Sequence, residues 1–245
     1  MPDRRLFELE YSPDWGYDRR FFLDNEHRYT KMHRLLSERY GDLAGKRVLD
    51  LGSSRGLLLA RFPDSERLGI EIDPDERQRG AAHVEAVEHF INAFDGNRMV
   101  ARLPFDDDSI DVVLAGEIIE HIVDTEGFLR DIARVLRPGG ALVLTTPNIL
   151  WWKHRLALLA GRYPDALDYR LRYGDDFGHV RAFSPDKIRE LLSDAGFVAV
   201  EIVGKRLGPI ASLASTPAPV ARILDRLADR LPKLSDHVVA FARHP

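Results

Sequence analysis

Short apolar runs that alternate with helical periodicity restrict this chain more than any other feature. Arg47-Val-Leu-Asp-Leu-Gly52, Ile110-Asp-Val-Val-Leu-Ala-Gly116 and Gly140-Ala-Leu-Val-Leu-Thr-Thr146 are each aliphatic on both sides of a pleat, the mark of strands buried on both faces. Arg67–Ile72, Arg98–Leu103, Phe197–Val203 and Asp236–Phe241 extend the set to seven. Between them the spacing predicts helices over Gly56–Arg61, Asp75–Phe90, Thr125–Leu136 and Pro185–Ala195. The fourth of these opens with Ser184 as N-cap and Pro185 at the first helical position, and it stops at Gly196. Alternation of this kind predicts an α/β fold, a parallel sheet with helices on both faces.

The chain is expected to be one domain. Residues 46–147 form its core and 1–45 a helical, aromatic lead-in with Trp15, Tyr17 and Tyr29. Residues 148–183 form a lid insertion, and 184–245 carry the last helix and strands with an insertion at 205–235. The insertion contains a helix with apolar Val220, Ile223, Leu224, Leu227, Ala228 and Leu231, expected to pack on its own domain. Its mixed charges (Arg222, Asp225, Arg226, Asp229, Arg230) weigh against a membrane role.

A net charge of −4 gives no global basic field for nucleic acid, and the absence of cysteine removes disulfides and thiolate chemistry and suits a reducing cytoplasm. The N-terminal residues carry charges where a signal peptide needs an apolar centre. The longest charge-free stretch, Leu207–Ala221, is too short and too rich in proline to span a bilayer. These features predict a soluble, cytoplasmic protein.

The first strand runs into Asp50-Leu-Gly52-Ser53-Ser54-Arg55-Gly56 and then a helix, and the second ends at Glu71 about 20 residues on, where a carboxylate can accept both hydroxyls of a ribose. A pyrophosphate-binding loop wants G-x-G-x-x-G. The acid at Asp50 would repel a pyrophosphate and suits a cation instead.

The sequence resembles the class I S-adenosylmethionine-dependent methyltransferases (type 11/23-like) over roughly residues 30–204. Asp50, Gly52 and Gly56 match the family's (D/E)-x-G-x-G-x-G, with Ser54 in place of the middle glycine. The likeness continues through Gly69-Ile-Glu71-Ile-Asp73, Leu103-Pro-Phe105 with Asp111-Val-Val113, Leu136-Arg-Pro-Gly-Gly140 and Phe183-Ser184…Ala195-Gly-Phe197. The resemblance implies a Rossmann-like, doubly wound seven-stranded sheet, mostly parallel with a reversed last strand and helices on both faces, and S-adenosyl-L-methionine as cofactor. Asp50 would hold its amino group by way of the loop, Gly52 would let the backbone approach, Glu71 would bind the ribose and Ile72 would lie against the adenine. Ser53, Gly56, Leu103 and Glu117 complete the expected set. Where the family often has an acid contacting the adenine amine, Met99 and Val100 stand.

Transfer of a methyl group relies mostly on positioning and desolvation, and an un-ionised hydroxyl acceptor needs a base or a Lewis acid as well. Glu117-Ile-Ile-Glu120-His121 places two carboxylates and an imidazole on one face if a helix starts there, and His179 returns from the lid segment. This pattern is similar to that of the ubiquinone-pathway O-methyltransferases and the small-RNA 3′-end 2′-O-methyltransferases. The likeness implies that Glu117, Glu120, His121 and His179 bind Mg2+ or a similar ion. The alternative is a helix start whose acids face solvent or pair with arginine. His121 or His179 is the expected base.

The segment Asn148–Tyr173 interleaves Trp151, Trp152, Tyr163, Tyr169 and Tyr173 with Lys153, His154, Arg155, Arg162, Arg170 and Arg172. Such a set either grips substrate or forms a lid packing its own Leu156, Leu158, Leu159 and Leu167. The expected reaction is O-methylation of a small polar molecule such as a sugar or lipid-linked precursor. Two rivals stand beside it: a metal-dependent RNA 2′-O-methyltransferase, and a non-catalytic cofactor-binding scaffold that docks a partner through 205–235.

Overall fold

The computed structural model describes residues 19–71, 78, 102–164, 179–208 and 218–245. Among these, six strands form one sheet: β1 (Arg47–Leu51), β2 (Glu66–Ile70), β3 (Ile110–Gly116), β4 (Leu136–Pro147), β5 (Val198–Gly204) and β6 (His237–Arg243), in the order β2-β1-β3-β4-β6-β5. The first four are mutually parallel, and β6 pairs antiparallel with both β4 and β5. The expected reversed last strand is therefore present. The expected strand Arg98–Leu103 and helix Asp75–Phe90 lie wholly or mostly outside the described residues.

Period-two alternation in the strands sorts side chains into two buried layers. Leu49, Val113, Ala115, Leu142, Leu144 and Ala240 meet the apolar faces of α2 (Thr125–Val135) and α4 (Pro185–Asp194). Their neighbours Val48, Val112, Leu114, Val143, Val239 and Phe241 meet Met32, Leu35 and Leu36 of α1 (Arg19–Arg39). The Ser184 cap holds as read, accepting from the Lys187 amide at 3.2 Å; the structure adds Asp124, which accepts from Gly127 at 2.8 Å.

Three expectations are corrected. The run after Gly56 makes only turns and a short 3-10 turn at Leu59–Arg61, not an α-helix. The strand expected from Gly140 begins earlier, at Leu136, so Pro138-Gly-Gly140 lies within β4. The pairing with β3 shifts register there, and Gly139 sits at φ +76°. The lead-in and lid each carry one described helix, α1 and α3 (Trp152–Leu159). The helix in the 205–235 insertion, α5 (Ala218–Arg230), does not bury its apolar stripe. Val220, Ile223, Leu227 and Leu231 are exposed, while Ala228 is buried and Asp225 and Asp229 turn inward to Lys31 of α1 at 2.6 and 2.7 Å.

Candidate active site

The carboxyl ends of β1, β2, β3 and β4 lie side by side, so the loops that leave them share one rim. After β1 the chain turns through Gly52 at φ +72°, Ser54 at +44° and Gly56 at +73°. A Cβ on Gly52 would stand 3.3 Å from Ile118 Cδ1, so glycine serves both the left-handed turn and the close approach of the neighbouring loop. The loop is fastened to β2: Gly52 and Ser53 amides donate to Ile70 O at 2.8 and 2.9 Å, and the Ser54 amide donates to Glu71 Oε2 at 2.7 Å. Gly69 leaves space that the Ser53 side chain fills.

Beneath the loop Asp50 is buried, and burial pushes its carboxyl up to about 8, with Glu71 adding to the rise and Arg28 opposing it. A neutral acid under a loop is poised to ionise when a cation comes near. The loop backbone, Asp50 and Glu71 thus converge on one rim and fit a ligand with both an ammonium and a ribose. Leu103 is buried, and its amide donates to the Asp131 carboxylate. Ile72, Met99 and Val100 lie outside the described residues.

After β3, Glu117 is left-handed at φ +56° and Ile119–His121 form a 3-10 turn, so no helix begins at 117. The expected common face of Glu117, Glu120 and His121 is therefore split. Glu120, His121 and His179 are the group that comes together, each offering a ligand atom within 4.8 Å of the others. Backbone bonds bring His179 there: the amides of Val180 and Arg181 donate to Glu120 O at 2.9 and 3.2 Å, and Arg181 reaches Ile122 O and Val123 O. The two imidazoles meet edge to face, with centroids 5.0 Å apart. Glu120 accepts from Thr146 Oγ1 at 3.0 Å, while its buried Oε1 has no hydrogen-bond partner among the described residues. Burial, with the nearby Glu117 charge, raises its carboxyl to about 8.

Glu117 turns the other way. Its Oε2 lies 3.1 Å from His237 Nε2, and its Oε1 accepts from Thr145 Oγ1 at 2.7 Å with Arg28 at 3.8 Å. His237 also lies 3.4 Å from Asp236, which pairs with Arg206 at 2.6 Å and the fully buried Lys205 at 3.6 Å. Burial and Lys205 oppose a charge on His237, yet Glu117 and Asp236 raise it to about 9. Burial works against the Glu117 and Asp236 carboxylates as well. Both are nonetheless held well below the usual range, Glu117 chiefly by His237 and Asp236 chiefly by Lys205 and then His237. Sequence reasoning missed His237, Asp236, Lys205 and Arg28. A usable signal was Asp236-His237 at the head of a strand antiparallel to β4, which brings both to the same rim.

In the lid segment Lys153 stacks over Trp151 at 4.8 Å, and Trp152 Nε1 donates to Leu207 O at 2.7 Å. Arg155 is occupied by backbone carbonyls of Leu150 and Lys233, and His154 is buried beside Asn148 O. Leu156, Leu158 and Leu159 are exposed, so they do not supply the self-packing expected of a closed lid, and Tyr163 is exposed as well. Leu167, Tyr169, Arg170, Arg172 and Tyr173, like Trp15 and Tyr17, lie outside the described residues.

This sheet order, with a glycine turn after β1 and an acid at the end of β2, defines a Rossmann-like nucleoside-binding protein. A methyltransferase-domain family model matches residues 24–202, and the chain belongs to the class I S-adenosylmethionine-dependent methyltransferases. A probable S-adenosylmethionine-dependent methyltransferase of Mycobacterium tuberculosis (strain ATCC 25618 / H37Rv) is 32% identical over 188 residues, 76% of this chain and 62% of that protein. A ubiquinone biosynthesis O-methyltransferase of Bradyrhizobium diazoefficiens is 31% identical over 172 residues, 69% of this chain and 65% of that protein. The chain thus spans under two thirds of the length of these curated relatives. In fold it matches a Thermotoga maritima S-adenosylmethionine-dependent methyltransferase with a TM-score of 0.63 at 16% identity, covering 98% of this chain and 99% of that one. A second match, from Mesorhizobium loti, has a TM-score of 0.61 at 19% identity and covers 90% of this chain and 99% of that one. Both structures speak for the fold alone.

Proposed function

We propose that this methyltransferase acts on a hydroxyl of a small polar acceptor, of the size of a sugar or a lipid-linked precursor. The observation that carries the reading is the Glu120–His121–His179 cluster on the rim beside the glycine turn, because a hydroxyl must lose its proton as it attacks. The name of the Bradyrhizobium relative, an O-methyltransferase, agrees with it. When bound, S-adenosylmethionine supplies an electrophilic methyl on a sulfonium. Asp50 and the Gly52–Gly56 turn would hold its amino-acid end and Glu71 its ribose.

His121 or His179 takes the acceptor proton in this reading. The cluster also fits a divalent ion, since Glu120 Oε1, which has no hydrogen-bond partner among the described residues, and two imidazoles make a three-donor set. Two nitrogens and one oxygen suit Mn2+ or Zn2+ better than Mg2+, which favours oxygen alone. Glu117, engaged with His237, is left out of that set.

The test is transfer of labelled methyl to a panel of phenols, catechols and sugars, with RNA beside them, for the wild type and for His121→Ala and His179→Ala. Product on a small hydroxyl, lowered by about 10²-fold or more in either variant with the fold intact, is expected. Product on RNA alone, or unchanged turnover in both variants, would refute the reading.

A further inference from the structure

Helix α5 carries an outer surface that methyl transfer does not use. Val220, Ile223, Leu227 and Leu231 recur at spacings of three and four and are 45, 56, 38 and 42% exposed. Alongside them run Arg222, Arg226 and Arg230, one every four residues and all exposed. The helix's two acids are turned away from this surface. Asp225 and Asp229 point into α1, where Lys31 holds both and Arg34 lies 2.8 Å from Asp229. The outer half of α5 therefore presents an apolar strip beside a cationic row, with no carboxylate of the helix among them. A residue pattern that counted against a membrane role in the sequence, mixed charge around the helix, is sorted by the fold into acids inside and arginines outside.

We infer that α5 is a docking surface for an anionic lipid bilayer. The complementarity is specific in two respects. An apolar strip one helix long enters the boundary between headgroups and acyl chains, and arginines on its flank meet lipid phosphates. At 13 residues the helix lies on a bilayer and does not cross it, and among the described residues no helix is long and apolar enough to span one. The clamp through Lys31 joins α5 to α1, whose Arg28 lies 3.8 Å from Glu117, so docking would hold the catalytic rim near the lipid surface.

The experiment is flotation of the full chain with vesicles of phosphatidylcholine alone and with vesicles doped with phosphatidylglycerol, at low and high salt. Neither cofactor nor acceptor is added, so the outcome is independent of the proposed methylation. Binding to the anionic vesicles that fades with salt is expected. Ile223→Asp with Leu227→Asp abolishes it, and Arg226→Gln with Arg230→Gln weakens it about thirtyfold. Both positions of the first variant are exposed, so its melting temperature should match the wild type and report an intact fold. Failure to float with anionic vesicles overturns the inference. So does a concentration-dependent dimer in ultracentrifugation that Ile223→Asp dissolves, which would assign the strip to a second copy of the chain.

Discussion

Asp50 shows how a residue's surroundings set its chemistry. Burial leaves its carboxyl at about 8, so it is mostly protonated at pH 7. A cation placed against the loop favours the ionised form, and cofactor binding should release up to about one proton at pH 7. Titration calorimetry in buffers of different ionisation enthalpy reads this directly. Asp50→Asn should remove the release, and a wild type that releases none would contradict the assignment. At His237 the expectation is structural. Removing the imidazolium takes from buried Glu117 its nearest cation and leaves Arg28 at 3.8 Å, while Asp236 keeps Arg206 and Lys205, so His237→Ala should cost about 3 kcal/mol in urea unfolding. Asp50, Gly52 and Glu71 were legible because strand, turn and acid follow one another within a short stretch of chain. The Glu117–His237 pair was not, because only the antiparallel return of β6 beside β4 brings the two together.

At the level of elements, local chemistry forecast strands and the Ser184-capped helix well, since the serine acts on an amide three residues away. It failed where tertiary contacts decide. The segment after Gly56 has helical composition, yet left-handed Ser54 and Gly56 and the packing of Leu58 and Leu59 under α1 leave space for only a short turn. Glu117 broke the expected helical face in the same way, by its left-handed backbone. The α5 stripe was taken as core because periodicity shows which residues share a face and not which face is covered. Gly204, at the end of β5, tests the tight junction there. A Cβ would lie 2.6 Å from Ala228 O and against the Ser235 side chain. Gly204→Ala should therefore lower stability by about 1–3 kcal/mol, measured by urea denaturation. A neutral effect would mean that α5 can move off the sheet at no cost.

For the whole molecule, the shifted groups predict a tilt of stability with pH. Asp50 and Glu120 keep their protons to about 8, whereas their unfolded counterparts lose them near pH 4. That stability is full at acid pH and is lost as pH rises from about 4 to 8. His237, raised to about 9, adds stability that is full below about pH 6.5 and is lost as pH rises through 9. Glu117 and Asp236, held low, act oppositely and stabilise only above the usual carboxylate range. Without added cofactor or metal, urea unfolding should show greater stability at pH 6 than at pH 8.5, and the reverse order would contradict the buried network.

The measurement that bears most directly on the cofactor site is calorimetric titration of S-adenosylmethionine into the wild type and Glu71→Ala. Glu71 anchors the Ser54 amide and borders the loop, so saturable binding that weakens by tenfold or more in the variant is predicted. Equal affinity in the two proteins, or no binding in either, would contradict the assignment of the β1 turn and the β2 acid as the cofactor's cradle.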